Sequence, residues 1–294
     1  MANLKTIRTR ISSVKSTRQI TSAMKMVAAA KLRKAQDKIV RLRPYASKMN
    51  EILVGLSQSL TENDEGNIYG RISDPEKILL VIVTSNKGLC GGFNANVVRE
   101  TRRVVSEKYA SQFRNGNVWF LPIGKKGHDF IRRQKLNIFE EHNSLFNNLT
   151  FENVSGVAST VMESFVSGKF DRVEIIYNQF KNAAVQNLTD EIFLPVQTVT
   201  GTKKAARAVD YIYEPDLAAI VNDLIPKSLK LQFYKAVLDS FVAEHGARMT
   251  AMHMATDNAT QLIKDLTLQY NKARQASITS QILEVVSGAE ALNG

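Results

Sequence analysis

One cysteine, one tryptophan, six prolines and no long apolar run mark this 294-residue chain. A single thiol, Cys90, excludes an intramolecular disulfide and points to a reducing compartment. The longest useful apolar stretch, ILLVIV at 78–83, is far too short to span a bilayer and suits a buried strand. The four histidines, His128, His142, His245 and His253, form no metal-ligand spacing; the last two stand eight apart on one helix, too far to share an ion. No Ser/His/Asp arrangement and no pair of carboxylates falls on a recognisable loop, so nothing reads as an active site or a cofactor site. Acids are scarce at one end only. Residues 1–60 hold thirteen Lys/Arg against Asp37 and Glu51, a local charge of +11 that equals the formal net charge of the whole protein. Residues 61–294 balance to zero.

That basic segment has a strong pattern. Steps of three and four from Leu4 pass through Ile7, Ile11, Val14, Arg18, Thr21, Lys25, Ala28, Leu32, Ala35 and Ile39, and on to Leu60. The spacing predicts a helix packed along a partner helix, on the order of 85 Å long. Pro44 should bend or divide it. The polar interruption Arg18/Thr21/Lys25 has two readings that the sequence leaves open. One is a seam that opens so that these positions are solvated. The other is a place where the rod faces another protein, with Ile20, Met24 and Val27 beside the charges.

Residues 61–74 read as an acidic linker. The texture then changes to strands alternating with helices. Strands are expected at 77–86, 117–124, 136–141, 171–180 and 190–199, and helices after GLCGG, up to Arg133 and over 151–166. Such alternation argues for a mainly parallel, Rossmann-like sheet over 75–208 with an antiparallel pair at one edge. The turn GLCGG (88–92) stands where a phosphate cradle would, but it matches neither G-x-G-x-x-G nor a P-loop, which favours a tight turn with a buried, inert thiol. From 209 a second rod follows. Glu214-Pro215 suits its start, Pro226 a second start, and the stripe Leu231, Tyr234, Leu238, Phe241, Met249, Met252, Ala255, Ala259, Leu262, Leu266, Ala273, Ala276 its seam, over roughly 90 Å. Two long end helices around an inserted domain most simply pair antiparallel. The fold class is therefore α/β: a long antiparallel coiled coil of the N- and C-terminal helices (1–60 and 209–294) with an inserted Rossmann-like α/β domain.

Both ends carry a likeness. RQITSAMKMVAAAKLRKAQ (18–36), TSNKGLCGGFNAN (84–96) and ATDNATQLIKDLTLQYNKARQASITSQILEVVSGAEAL (255–292) resemble the gamma subunit of F-type rotary ATP synthase. Ile278, Thr279, Glu284, Gly288 and Ala289 stand at that family's C-terminal signature. Gln281 takes the place of its first carboxylate, Asn86-Lys87 that of an Asp-Arg, and Gly246 that of a better helix former, which should loosen the helix locally. The resemblance implies a non-catalytic shaft inside a ring of alpha and beta subunits, with a foot on epsilon and the membrane c-ring, and the nucleotide chemistry left to beta. It implies H+-driven coupling and a peripheral position on the cytoplasmic face of a bacterial inner membrane, since the likeness begins by Ala2. It places Met24 and Lys25 near an acidic beta lever, Arg274, Gln275, Thr279 and Gln281 in the beta catch region, and Tyr211, Tyr213 and Glu214 in the foot. No cofactor, nucleic acid or membrane insertion is expected. A nucleic-acid-binding coiled coil is the alternative for so basic a rod, but few aromatics lie among the basic residues of 1–43 to stack bases.

Overall fold

The computed structural model describes residues 4–59, 68–70, 74–196 and 217–293, side chains at 43, 47, 50–59, 217–222 and 292–293 aside. Two long helices, α1 (Leu4–Ser59) and α6 (Leu217–Asn293), flank a five-stranded α/β domain. The chain divides into two compact units: Met1–Ala28 with Arg248–Gly294, and Ala29–Ala247.

In the first unit the helices run antiparallel, since Thr21 meets Thr256 and Lys25 meets His253. On α1 the seam is the one the spacing predicts; of the stripe expected on α6, Leu262 and Ala276 are exposed. Every step from Leu4 to Ala28 is buried or half-buried, and Ile7, Thr21 and Ala28 are buried. Arg248, Met252, Ala259 and Leu266 are the buried positions of α6 here. Alanine at two of these sites lets the axes approach closely. Arg18, Thr21 and Lys25 do not mark an opening in the seam, because Thr21 is itself buried.

The second unit is built on a sheet of order β3-β2-β1-β4-β5. Strand β1 (Ile78–Val83) is central and buried along its whole length, as a continuous apolar run requires when both faces are covered. It pairs in parallel with β2 (Val118–Ile123) and β4 (Arg172–Phe180), and β2 with the short β3 (Asn137–Ile138). Ile78, Leu80 and Ile82 with Val118, Phe120 and Ile176 face α2 (Phe93–Glu107) and α4 (Lys125–Arg133), which contribute Val97, Val104 and Ile131. Each such side chain contributes roughly 2 kcal/mol by burial. A short α3 (Ala110–Arg114) intervenes, which the spacing does not foretell. Helix α5 (Phe151–Val166) starts where Thr150 Oγ1 accepts the Asn153 amide and buries Val154, Val157, Ala158 and Val161.

Three expectations are corrected. The last strand, β5 (Gln186–Leu194), starts four residues and ends five residues earlier than 190–199; it pairs antiparallel with β4 as expected, and ends before Pro195, which has no N–H to give a ladder. Pro44 and Pro226 both lie inside uninterrupted helices, so neither divides its rod. Each costs one backbone bond, and the helix on either side is long enough to continue without it. The expected linker at 61–67 and 71–73, the polar stretch VTGTKKAARA at 199–208, which reads as a connection, and the helix start at Glu214-Pro215 lie outside the described residues.

Candidate functional site: sheet mouth and helix surfaces

A parallel sheet of this topology opens a ligand crevice at the carboxyl ends of its strands, where the strand order reverses; here that is between β1 and β4. The turn after β1 is knotted by its own side chains. Asn94 Oδ1 accepts the Ser85 amide at 2.9 Å, and Asn94 Nδ2 donates to Ser85 Oγ at 2.8 Å and to Cys90 Sγ at 3.2 Å. Leu89 and Gly91 take left-handed backbone, at φ 62° and 58°. Gly124, at φ 99°, admits Thr84 so closely that a Cβ would stand 2.2 Å from the Thr84 carbonyl oxygen. Over this mouth lies α6. Ala243 packs on Cys90 and Phe93, with Phe180 and Ala247 closing the cluster. The crevice is covered by the chain's own helix. The GLCGG turn is a helix socket, and Cys90 is buried in it.

Residues 231–246 of α6 are embedded almost all round, unlike a surface helix with one stripe. Phe233 meets Phe193 edge to face at 5.4 Å, Tyr234 meets Phe151 at 5.6 Å, and Phe241 stacks on Phe146 at 5.8 Å. Gln232 donates to Glu191 Oε1 at 2.6 Å, and Tyr177 to the other Glu191 oxygen at 3.1 Å. Burial, and then the Glu191 charge, pushes the Tyr177 phenol well above its usual range. α6 continues unbroken through Gly246.

A buried acid lies on the opposite side of the sheet. Glu174 accepts a short hydrogen bond from Tyr109 and stands 3.7 Å from Lys108 Nζ, while Lys108 makes its short ion pair with Asp190. Burial holds the Glu174 carboxyl above the usual range. Burial also raises the Tyr109 phenol, helped by its bond to Glu174. Burial alone would lower the Lys108 ammonium, but Asp190 and Glu174 outweigh it and the net shift is upward. Asp190 is thus the closer of the two carboxylates to Lys108. Among the described residues no group of three or more His, Cys, Asp or Glu could hold a metal ion. His128 pairs with Glu141 at 2.8 Å and His142 with Glu140 at 3.2 Å.

The helix surfaces hold the other sites expected from the sequence. Met24 and Lys25 are half-buried on α1, and Lys25 Nζ donates to His253 Nδ1 at 3.4 Å. Ile20 and Val27 beside them are more than half exposed. Arg274, Gln275, Thr279 and Gln281 are all exposed on α6, and the Thr279 hydroxyl is turned onto the Gln275 carbonyl of its own helix. Around them Ile278, Ile282, Leu283, Val285 and Val286 form an apolar surface that the described chain leaves open. Tyr211, Tyr213 and Glu214 lie outside the described residues. No described helix is long and apolar enough to cross a membrane.

One charged surface escapes a reading by net charge. Residues 93–135 hold ten Lys/Arg against three Asp/Glu, a local +7 hidden because acids elsewhere cancel it. A finer window than the whole of 61–294 would have found it.

A family model for ATP synthase matches residues 3–292. The ATP synthase gamma chains of Flavobacterium johnsoniae and Cytophaga hutchinsonii are 55% and 50% identical to this chain, each over the full length of both proteins. Among solved structures, a chain of the Tetrahymena thermophila mitochondrial ATP synthase central stalk and c-ring is 27% identical at TM-score 0.56, covering 80% of this chain and 99% of that one. A chain of the Euglena gracilis mitochondrial ATP synthase shares the fold at TM-score 0.67 and 23% identity, covering 98% of this chain and 94% of that one.

Proposed function

The chain belongs to the gamma-chain family of ATP synthase, and from that premise we propose how its parts work. It is a non-catalytic central-shaft subunit. It carries torque between a membrane c-ring and a head of alpha and beta subunits, and so couples ion flow, with H+ as the ion, to ATP synthesis or hydrolysis. The observation that carries this reading is the end of α6, where exposed Ile278, Ile282, Leu283, Val285 and Val286 suit an apolar sleeve that the described residues do not supply.

Within that shaft, residues 1–60 and 209–294 form the axle, 75–208 the domain inserted in it, and 61–74 the link. Met24 and Lys25 face an acidic lever of beta, with Ile20 and Val27 as the apolar part of the contact. Arg274, Gln275, Thr279 and Gln281 meet the beta catch, where Gln281 offers an amide in place of a charge. Tyr211, Tyr213 and Glu214 meet epsilon and the c-ring. The +11 on residues 1–60 is a smooth attraction for acidic walls, which holds the shaft without locking it at one angle. The site of work is the cytoplasmic face of a bacterial inner membrane.

The test is to tag the chain in its native cell, purify it gently from solubilised membranes and assay the eluate for ATPase activity. An active ATPase with alpha- and beta-sized partners is expected. A lone chain, or nucleic acid without ATPase, would overturn the reading.

A further inference from the structure

We propose that the cleft between α2, α3 and α4 docks an acidic peptide segment of a partner protein, anchored by one aromatic or bulky apolar side chain. The cleft has a volume of about 470 Å³. Phe120 is buried at its base, Leu136 and Phe130 are half-buried along it, and Phe113 stands at the rim, 41% exposed. Two guanidinium groups, Arg102 and Arg114, line it with them, and no Asp or Glu does among the described residues.

The electrostatics favour one kind of occupant. Neither arginine makes an ion pair with a described residue, whereas nearby Arg103 is satisfied by Glu100 and Glu107. Arg102 is held over the Phe130 ring, 5.1 Å from its centroid, which fixes the guanidinium while leaving N–H donors for a carboxylate. Arg132 and Arg133, together with Asp129, border a second hollow on α4, and residues 93–135 as a stretch carry a net +7. Of the other polar groups, Gln134 is neutral and the two hydroxyls are already used. Thr101 Oγ1 donates to the Val97 carbonyl at 2.8 Å and Ser106 Oγ to the Arg103 carbonyl at 3.0 Å, leaving the arginines as the strong handles.

Shape decides against a membrane surface. Apolar groups that dip into a bilayer protrude, but Phe120 is buried and Phe130 and Leu136 are recessed, so a side chain reaches them and a flat surface does not. A buried aromatic anchor with a rim of ion pairs is the usual anatomy of a short peptide contact.

The test titrates the full chain with a fluorescein-labelled peptide of Asp and Glu around one central Phe, with the same peptide carrying Ala for Phe, and with phosphatidylglycerol vesicles. The Phe peptide is expected to bind saturably, with affinity lowered on the order of tenfold by Arg102→Glu, by Arg114→Glu and by Ala for Phe in the peptide. Both arginines are exposed, so neither substitution threatens the fold. Three results would overturn the proposal: no saturable binding by either peptide, equal binding of the two peptides, or vesicle binding with the same dependence on Arg102 and Arg114.

Discussion

A Cβ added to Gly246 would stand 3.2 Å from the Ala183 Cα and 3.3 Å from its carbonyl oxygen. Helix propensity alone favours alanine over glycine by about 1 kcal/mol. Here the neighbour is backbone, and its loop is stiffened by Asn182 Oδ1, which accepts the amides of Ala184 and Val185. Crowding of that kind costs about 1–3 kcal/mol. Gly246→Ala is therefore expected to lose about 1 kcal/mol instead of gaining it, and Gly246→Leu several times more. Denaturant melts of the two variants check this; a stabilised alanine variant would show that the loop yields.

Thr21 Oγ1 and Thr256 Oγ1 lie 2.8 Å apart, and each also reaches a carbonyl of its own helix, Arg18 and Met252. Two hydroxyl protons cannot serve three contacts. The shorter bond, Thr256 to Met252 at 2.7 Å, keeps its proton, and Thr21 donates across the seam. Thr21→Val and Thr256→Val should each cost about 1 kcal/mol, with the double variant costing less than the sum by a similar amount. A double-mutant cycle reads the coupling directly, and additive losses would mean the hydroxyls ignore one another.

The pH dependence of Glu174 has a definite sign. Its folded-state value is raised above the ordinary 4.5, so its contribution to stability is complete below 4.5 and is lost as pH rises through the folded-state value. Gln at this position is always neutral and still accepts the Tyr109 proton. Glu174→Gln should thus gain on the wild type as pH rises from about 4 to neutrality. Urea midpoints of both proteins across that range test it. A gap that narrows with pH would mean that Lys108 and Arg172 fully compensate the charge.

Met24→Lys places a new cation beside Lys25 and the exposed Ile20 and Val27. At the contact proposed with an acidic lever, the extra ion pair would be worth about 1–2 kcal/mol and would deepen one angular position of the shaft. Coupling should suffer more than hydrolysis, seen as fewer protons pumped per ATP in membrane vesicles at nearly unchanged ATPase rate. Unchanged pumping per ATP would remove Met24 from that contact.

The seam of α1 was legible residue by residue because a period of three and four survives any tertiary context. Strand β1 was equally plain, since a central parallel strand must be apolar on both faces. The edge strand β5 was not: QNLTDE carries little β-branched content, and its pairing with β4 decides the register. The prolines misled because a local rule about one lost hydrogen bond says nothing of helices this long. The glycine turn was recognised as a turn, but its purpose depends on Ala243 and Ala247, some 150 residues away. Glu174 sits in an apolar strand, where nothing local announces the Tyr109 that accommodates it.

The covered mouth of the sheet ties distant stretches of the chain to a shared history. Cys90, Phe93, Phe180 and Ala183 form the socket, and Ala243, Gly246 and Ala247 fit it. A larger side chain on either side is tolerable only with a smaller one opposite. Across relatives these positions should therefore drift together, as matched sets inherited as one.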